Sequence, residues 1–442
     1  LHVRNPLGHI PPMPLRSMFV DMNSYFASCE QQLRPELRHK PIAVGAVDVD
    51  TTCCIAVSCE AKHYGIKTGT PIWLAKKWCP HIRIIEARPP LYVELHEKIV
   101  KAVQSCALFE KIFSIDEMSC RLATQERDPP AAIALAKEVK RAIRTQVGEY
   151  LRCTVGLAPN RFLAKIATDM QKPDGLVVIN ESDLPHKLFP LQLTDLAGIG
   201  QQMEKRLHAH GIRTVRHLYE ASESELMSAW GGIVGRYWWH WLRGHDLPDP
   251  PTRHRTVGHS HVLPPNQRND QDAQAVLIHL ITKAAARLRR LDHWAQRMEI
   301  YISYSFREEG WSADVPLGTC RDTLSMVQAF CELWKHRPQK NGAPTQVAIT
   351  LFNLVPNQNT SMPLFPAERN RIRLSQAIDA LNKKFGLQTI YFAGMHSALE
   401  SAPMRIAFSR VPDAAYEDSE GKTWKSKKKK GFPRPSMPAR PT

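Results

Sequence analysis

The chain has 442 residues, too many for one hydrophobic core, which predicts about three or four domains of ordinary size. With 43% hydrophobic residues it is expected to be globular, and no apolar run approaches the roughly 18 residues of a membrane-spanning helix. Lys and Arg exceed Asp and Glu by 59 to 43, a net charge of +16 that favours a polyanionic partner such as nucleic acid, with solubility as the alternative explanation.

The ten cysteines include no Cys-x-x-Cys pair and no grouping with His at the spacing of zinc ligands. This pattern predicts reduced, mostly buried thiols in a cytoplasmic protein.

Strands and helices are predicted to alternate between about residues 18 and 179, after a Pro-rich segment, residues 1–17, that is expected to form a flexible leader. The predicted strands include SMFVDM, PIAVGAV, RIIEA and FSIDEMSCRL, and PPAAIALAKEVKRAIRTQV is predicted to be an amphipathic helix. This part of the chain is therefore predicted to be a mixed α/β core.

The rest of the chain divides by composition. Residues 184–247 are predicted to be helical, and 248–255 form a Pro-rich, charged linker. Residues 256–355 are predicted to be a small α+β unit, because RMEIYISYSF alternates cleanly and places these apolar residues on one face: Met298, Ile300, Ile302, Tyr304 and Phe306. Residues 356–412 form a C-terminal extension, and the basic tail 413–442 is expected to be disordered.

Two acidic motifs stand at strand ends in the α/β core. Asp21 ends the apolar run FVDM, and Asp116 and Glu117 lie in FSIDEM. A carboxylate between apolar residues is costly to bury unless it pairs or binds a cation. If the two strands are neighbours, three carboxylates meet, and Mg²⁺ is the natural counter-ion for oxygen ligands. From spacing alone, solvent-facing acids at strand ends are the alternative.

Four segments occur together and in order: VDMNSYFASCE, AVSCEAKHYGIKTGTPI, SIDEMSCRL and TVGLAPNRFLAKIATDMQKPDGLVVI. They closely resemble Y-family translesion DNA polymerases of the bacterial DinB and UmuC type, over roughly residues 18–355. The resemblance implies an α/β and α+β multidomain, right-hand polymerase. Its parts would be a palm (18–29 and 80–183), small fingers (30–79), a helix-hairpin-helix thumb (184–247) and a little finger (256–355).

The resemblance also implies a catalytic centre. Asp21, Asp116 and Glu117 match the family's catalytic, metal-binding acids, and Met22 would add its backbone carbonyl. Two Mg²⁺ ions, with Mn²⁺ as a substitute, would then act in nucleotidyl transfer. Phe26 matches the steric gate, a ring that leaves no room for a ribose 2′-hydroxyl; a plain core aromatic is the alternative.

Cationic side chains are expected around the triphosphate. Lys172 in DMQKPDG matches a phosphate-binding lysine, and Lys62 in CEAK falls where many relatives carry Arg. Lys165 is a further candidate, with a solvated helix lysine as the alternative. Tyr25 is assigned to the nucleotide pocket, although packing is its more ordinary use.

The predicted nucleotide pocket departs from the commonest DinB pattern at four positions: Asn23, Ser24, Cys59 and Lys62. UmuC-type sequences share some of these features. The departures bear on nucleotide affinity and lesion preference, and not on the reaction.

Other motifs are assigned to DNA and to a partner protein. Gly198 and Gly200 in LAGIG resemble the hairpin of a helix-hairpin-helix motif, which grips phosphate through backbone amides; an ordinary helix–helix turn is the alternative. The little-finger sheet is expected to carry Arg and Lys along its outer face. Leu364 and Phe365 in SMPLF resemble a sliding-clamp-binding peptide, and packing of this apolar pair on the domain is the alternative.

The resemblance therefore implies a template-directed DNA polymerase that uses primer–template DNA and dNTPs, has low fidelity, bypasses damaged bases and has no proofreading domain. We expect a cytoplasmic, nucleoid-associated monomer with no membrane attachment. Two alternatives are a catalytically silent DNA- or clamp-binding adaptor of the same family and another palm enzyme such as a nucleotidyl cyclase.

Overall fold

The computed structural model describes residues 13–46, 49–50, 52–249, 255–305, 309–338 and 342–401. These residues belong to two compact units, 13–249 and 255–401. The first twelve residues of the predicted leader, most of the linker, Phe306 and the whole basic tail lie outside the described residues.

The first unit contains eight strands and ten α-helices among its described residues. The strands are β1 (Ser17–Met22), β2 (Ile42–Gly45), β3 (Cys54–Val57), β4 (Arg83–Glu86), β5 (Leu108–Ile112), β6 (Glu117–Arg121), β7 (Cys153–Ala158) and β8 (Leu176–Val178). The helices are α1 (Tyr25–Leu33), α2 (Cys59–Lys62), α3 (Ile72–Trp78), α4 (Pro89–Gln104), α5 (Pro129–Gln146), α6 (Arg161–Met170), α7 (Gln201–Ala209), α8 (Val215–Glu220), α9 (Glu223–Trp230) and α10 (Ile233–Leu242).

Strand β1 lies at the centre of a five-stranded sheet with the order β5-β6-β1-β7-β8. It is antiparallel to both neighbours, and all six of its residues are buried. The mixed α/β prediction for this region is confirmed, because α4, α5 and α6 connect and cover strands of this sheet.

A smaller sheet of three strands, in the order β3-β2-β4, has its own apolar core. Ile66, Ile72 and Ala75 pack against Ala43 and Val57 in that core. This sheet and the short helices α2 and α3 correspond in large part to the segment expected to form small fingers.

Residues 184–247 are helical as predicted, and they share a core with α6. Trp238 is buried there between Trp230 and Phe162, with ring centroids 4.8 Å from each.

The second unit contains strands β9 (Thr256–Val262), β10 (His293–Tyr304), β11 (Trp311–Cys320) and β12 (Pro344–Pro356), and helices α11 (Asp270–Arg290), α12 (Thr323–Lys335) and α13 (Pro366–Phe385). Its sheet is antiparallel, with the order β11-β10-β12-β9. The predicted alternation in β10 is confirmed for the described residues, since the side chains of Met298, Ile300, Ile302 and Tyr304 are buried.

All ten cysteines are free, and six of them are buried, as the sequence predicts. Within the described ranges, none of the helices combines the length and the apolar character needed to cross a bilayer.

Candidate active site

Strand register brings the three predicted acids together. Asp21 pairs with Glu117 across β1 and β6, and the amide of Met22 donates to the carbonyl of Asp116 at 2.9 Å. The site therefore lies where β1 ends and β6 begins, at one end of the central strands of the palm-like sheet. A one-residue shift of either strand would turn one of these acids to the opposite face.

The Asp116 carboxylate is largely enclosed by protein. Burial raises the pKa of this carboxyl, and the charges of Asp21 and Glu117 raise it further. The Ser114 hydroxyl acts in the opposite direction, because it donates to Asp116 Oδ1 at 2.5 Å and favours the ionised form. Asp21 and Glu117 thus make Asp116 harder to ionise, and a nearby cation would offset their charge.

Two lysines supply positive charge to the cluster. The Lys165 ammonium lies 2.5 Å from Asp21 Oδ2 and 2.8 Å from Glu117 Oε1, and Lys172 lies 2.8 Å from the same oxygen of Asp21. Both lysines also pair with Asp169. Burial alone would lower the pKa of both ammonium groups, but the carboxylates, Asp21 foremost, outweigh it and raise both pKa values.

Helix α6 carries Lys165 to the acids because it lies very close to β7. Asn160 caps the helix by accepting from the Leu163 amide at 2.8 Å, and it also ties the helix start to the chain near Trp241. Gly156 permits the close approach: a Cβ at this position would lie 2.0 Å from the Ala164 carbonyl oxygen. The glycine therefore sets the distance between the helix and the strand, and with it the reach of Lys165.

The donors present suit a hard divalent cation, because carboxylate oxygens of Asp21 and Glu117 already surround one positively charged group. In the described ranges, however, no three His, Cys, Asp or Glu side chains stand in an arrangement that would hold a metal ion as they are. Metal binding by these acids would therefore compete with Lys165.

Asn23 joins three parts of the site. Its amide nitrogen donates to Thr154 Oγ1 at 3.0 Å, and its Oδ1 accepts from the amide of Asp174 at 2.7 Å. Asp174 follows Lys172 by two residues, so Asn23 positions the segment that carries this lysine. The departure from the commoner sequence pattern at Asn23 thus has a structural use.

The two adjacent aromatics of α1 have different surroundings. Phe26 is buried and stacks on Tyr92, with ring centroids 4.6 Å apart and an interplanar angle of 12°. Tyr25 is also buried, and its hydroxyl donates to the carbonyl of Tyr92 at 2.6 Å. The hydroxyl of Tyr25 is therefore engaged in packing the two helices α1 and α4.

Comparison with known proteins agrees with this arrangement. The impB/mucB/samB family matches residues 20–169, and the C-terminal domain of that family matches residues 254–364. DNA polymerase IV of Moorella thermoacetica is 33% identical over 385 residues, which cover 85% of this chain and 95% of that protein. DNA polymerase IV 1 of Bacillus subtilis is 29% identical and covers 88% of this chain and 95% of its own length.

Solved structures extend the match to the fold. A Y-family DNA polymerase chimera of Dbh and Dpo4 superposes with a TM-score of 0.64 at 25% identity, covering 77% of this chain and 100% of the chimera. The chain belongs to the Y family of DNA polymerases. An insertion ternary complex of Dbh DNA polymerase, another Y-family structure, has a TM-score of 0.51 at 25% identity with the same coverage.

The predicted nucleotide contact Lys62 and Cys59, one of the departures from the commonest pattern, both lie on α2 of this Y-family chain. Lys62 is exposed at the end of α2 and forms no ion pair with any residue that the structure describes. Cys59 begins the same helix, and its sulfur lies 3.9 Å from Ser24 Oγ. The unusual residues Ser24 and Cys59 are therefore neighbours, whereas Lys62 is available to a ligand.

The glycines of the expected thumb hairpin lie between a short 3₁₀ turn and α7. Gly198 has a φ of +105°, a left-handed conformation that favours glycine, and Gly200 precedes the first residue of α7 without a capping side chain. Both glycines are exposed, whereas Ile199 between them is buried.

The outer face of the little-finger sheet in this Y-family chain differs from the expected row of Arg and Lys. Arg297 is the one basic residue that the described strands place on this face, and it pairs with Asp314. The other outward residues of the four strands include no Arg or Lys; among them are Ser260, Glu299, Thr350 and the exposed aromatic Tyr301. The expected row of Arg and Lys is therefore wrong for the sheet. Basic residues collect instead at the C-terminal end of α11, where the helix dipole favours cations.

The candidate clamp peptide is exposed. Leu364 retains 77% and Phe365 64% of its accessible surface, so neither side chain packs on the domain. Arg369 fixes the local backbone by donating to the carbonyls of Pro363 and Leu364.

Tyr92, together with Glu30 and Arg88 around it, was missed by the sequence interpretation. Tyr92 lies in an amphipathic helix that begins with two prolines, and at helical spacing it is indistinguishable from any core aromatic. The sequence signal for this group was Glu30, a glutamate in the middle of a largely apolar buried face of α1.

Proposed function

We propose that this protein is a template-directed DNA polymerase that extends a primer 3′-OH with deoxynucleotides, bypasses damaged template bases and copies with low fidelity. The observation that carries the proposal is the meeting of Asp21, Asp116 and Glu117 at one sheet edge, with Lys165 and Lys172 beside them, in a Y-family chain. The named relatives are DNA polymerases IV, which supports the same reaction here.

In the proposed reaction the primer 3′-hydroxyl gives its proton to water, and its oxygen forms a bond to the α-phosphorus of the dNTP. The bond from that phosphorus to the bridging oxygen breaks, and pyrophosphate leaves with the electron pair. Asp21, Asp116 and Glu117, with the Met22 carbonyl, would hold two Mg²⁺ ions, which lower the pKa of the primer hydroxyl and neutralise the triphosphate; Mn²⁺ is an alternative.

The lysines have a second role in this scheme. When the carboxylates take other cations, the ammonium groups of Lys165 and Lys172 become free to face an anion a few ångströms away. Lys62 would add charge from α2. Phe26 would lie under the sugar and exclude a 2′-hydroxyl, and Tyr25 would support it by packing.

Primer extension with Mg²⁺ tests the proposal. Wild-type protein should extend a primer, and Asp116→Ala should abolish extension while DNA binding, measured by fluorescence anisotropy, stays within about twofold. Glu138→Ala is the matched control, because this acid lies on α5 and its ion pair is an exposed one with Arg141. A wild-type chain that binds DNA without extending it would instead be the silent adaptor.

Lesion bypass and low fidelity need their own measurement. We expect extension past an abasic site and frequent misincorporation on an undamaged template, since the small three-stranded sheet offers little surface to close on the new base pair. Full arrest at the abasic site would exclude the translesion role but not polymerisation.

DNA holding and clamp binding complete the proposal. The open turn at Gly198 and Gly200 would grip a DNA phosphate through backbone amides, and the protein would act as a monomer on the nucleoid. Leu364 and Phe365 would insert into an apolar pocket of a bacterial sliding clamp. Leu364→Ala with Phe365→Ala should abolish clamp binding in a pull-down, whereas Leu374→Ala, at another exposed apolar site on α13, should not.

A further inference from the structure

A fully buried carboxylate lies behind the proposed sugar gate. Glu30 is on α1, one helical turn after Phe26, and its side chain has no exposure to solvent. It accepts from Arg88 Nε at 2.9 Å, from Arg88 Nη2 at 2.5 Å and from the Tyr92 hydroxyl at 2.8 Å. Arg34 Nε lies 3.7 Å from Glu30 Oε2, the oxygen that also accepts from Arg88 Nη2. The proposed chemistry makes no use of this charge.

The same carboxylate is joined to the gate through one aromatic ring. Tyr92 has no exposed surface, donates its hydroxyl to Glu30, and stacks its ring on Phe26. Its backbone carbonyl accepts from Tyr25. Tyr92 is thus hydrogen-bonded to α1 at both its hydroxyl and its backbone carbonyl, and its buried ring is the stacking partner of Phe26.

If the Glu30–Arg88 pair served only to stabilise the fold, its desolvation cost would make it a poor choice. A buried ion pair costs desolvation that apolar residues of the same volume avoid, and breaking it leaves an uncompensated charge. What a satisfied buried network does provide is a single geometry. The hydrogen bonds to Glu30 also raise the pKa of Arg88, so the guanidinium stays charged and the bidentate pair stays intact.

We propose that Glu30 and Arg88 are positioning residues that, through Tyr92, fix the plane of the Phe26 ring and thereby set the discrimination between deoxyribonucleotides and ribonucleotides. The proposal rests on the proposed polymerase function and on Phe26 as the gate. It assigns the sugar preference to a four-residue unit on α1, on α4 and at the residue that precedes α4, rather than to one ring.

Tyr92→Phe is the sharpest test, because it keeps the stacked ring and removes only the hydrogen bond to Glu30. We expect the ratio of ribonucleotide to deoxyribonucleotide kcat/KM to rise about tenfold, a factor that corresponds to the loss of one hydrogen bond to a charged group. The change should lie mainly in the KM for ribonucleotides. Glu30→Gln should raise the ratio further, and Arg88→Lys, which keeps the charge without the bidentate geometry, should lie between them.

Tyr304→Phe is the matched control. Tyr304 is also buried and its hydroxyl bonds a charged partner, Arg337, at 2.8 Å, but it lies in the second unit. This variant should leave the sugar ratio unchanged. A network with a merely structural role would lower both rates equally, so an unchanged ratio in Tyr92→Phe and Glu30→Gln overturns the proposal.

The outcomes separate the proposals from each other. If wild-type protein extends no primer, the proposed function fails. If it extends primers but Phe26→Ala keeps its sugar preference, the gate assignment fails, and with it this inference. If Phe26→Ala loses the preference and Tyr92→Phe, folded with an unchanged melting temperature, keeps it, only the positioning role fails.

Discussion

The ammonium of Lys165 lies 2.5 Å from Asp21 Oδ2, at the place where the sequence predicts a metal ion. The lysine side chain is only 16% exposed, and it also reaches Glu117. One covalently attached cation thus neutralises two of the three acids, and a divalent ion that binds there has to displace it.

Lys165→Met should therefore change how the protein responds to metal. Without divalent ions, Asp21 and Glu117 lose their shared partner, and we expect about 3 kcal/mol lower stability. Added Mg²⁺ should raise the melting temperature of the variant more than that of the wild type. Lys98→Met, which breaks an exposed pair with Glu94, should leave both quantities nearly unchanged. Equal Mg²⁺ responses in all three proteins would contradict the competition.

Gly156→Ala should disturb the same site by displacing α6. The new Cβ would lie 2.0 Å from the Ala164 carbonyl oxygen, so α6 has to move away from β7 and carry Lys165 with it. We expect a loss of about 2 kcal/mol in a denaturant titration, with primer extension falling as well. Gly200→Ala is the stability control, since a Cβ there meets no atom within 4 Å. Wild-type stability in Gly156→Ala would show that the helix can shift at no cost.

Phe26→Ala should raise ribonucleotide incorporation, because it removes the ring proposed to exclude the 2′-hydroxyl. The cavity left against Tyr92 should also lower stability by about 3 kcal/mol. Competitive primer extension with mixed nucleotides measures the first effect, and thermal unfolding the second. A stability loss without any change in sugar preference would make Phe26 a core residue only.

Arg289 should hold α13 against the rest of the second unit. Its guanidinium, only 5% exposed, forms a bidentate pair with Asp379 and donates to the Arg321 carbonyl. Asp379→Ala leaves this buried charge short of its partner and should cost about 3 kcal/mol, with faster hydrogen exchange across α13. Asp314→Ala breaks the exposed pair with Arg297 and should cost less than about 1 kcal/mol. Similar losses in the two variants would count against burial as the cause.

His279 should make the second unit sensitive to acid. Burial lowers the pKa of this imidazole from 6.5 to about 4, and Lys283 adds to the effect, while the ring bonds the Ala398 carbonyl and the Gln388 amide. Because the folded state binds a proton less readily than the unfolded state, the free energy of unfolding should fall between pH 6.5 and 4, by about 3 kcal/mol from this group.

The difference between wild type and His279→Leu isolates that contribution. Hydrogen exchange of α11 reports on the second unit, and the stability gap between the two proteins should shrink as the pH falls through this window. A gap that is constant with pH would mean that the imidazole does not titrate there.

Local sequence patterns were sufficient for much of the fold. The alternation in β10 and the apolar run of β1 each predict a strand and its buried face, and α5 follows from its amphipathic period. The meeting of Asp21 with Glu117 was predicted through the family resemblance, because the spacing alone left solvent-facing acids as the alternative.

What the sequence did not show depends on contacts between distant segments. Tyr92 lies 66 positions after Phe26, and its ring became part of the site only through the packing of α4 on α1. The sequence was also compatible with a solvated Lys165. Its contact with the acids depends on Gly156 in β7, which lets α6 lie close to that strand. The basic face expected for the little finger was wrong because Arg297 is the one Arg or Lys in the four described strands, and the acids Glu299 and Asp314 lie on the same face.

The position of β1 predicts that different parts of the site open to solvent at different rates. Because β1 is paired on both sides and completely buried, the amide of Asp21 should exchange with solvent only when the whole unit unfolds. Residues 171–173, which include Lys172, are exposed and irregular, and should open far more often. The strand that carries Asp21 should therefore keep one backbone geometry, whereas the segment that carries Lys172 should open locally more often.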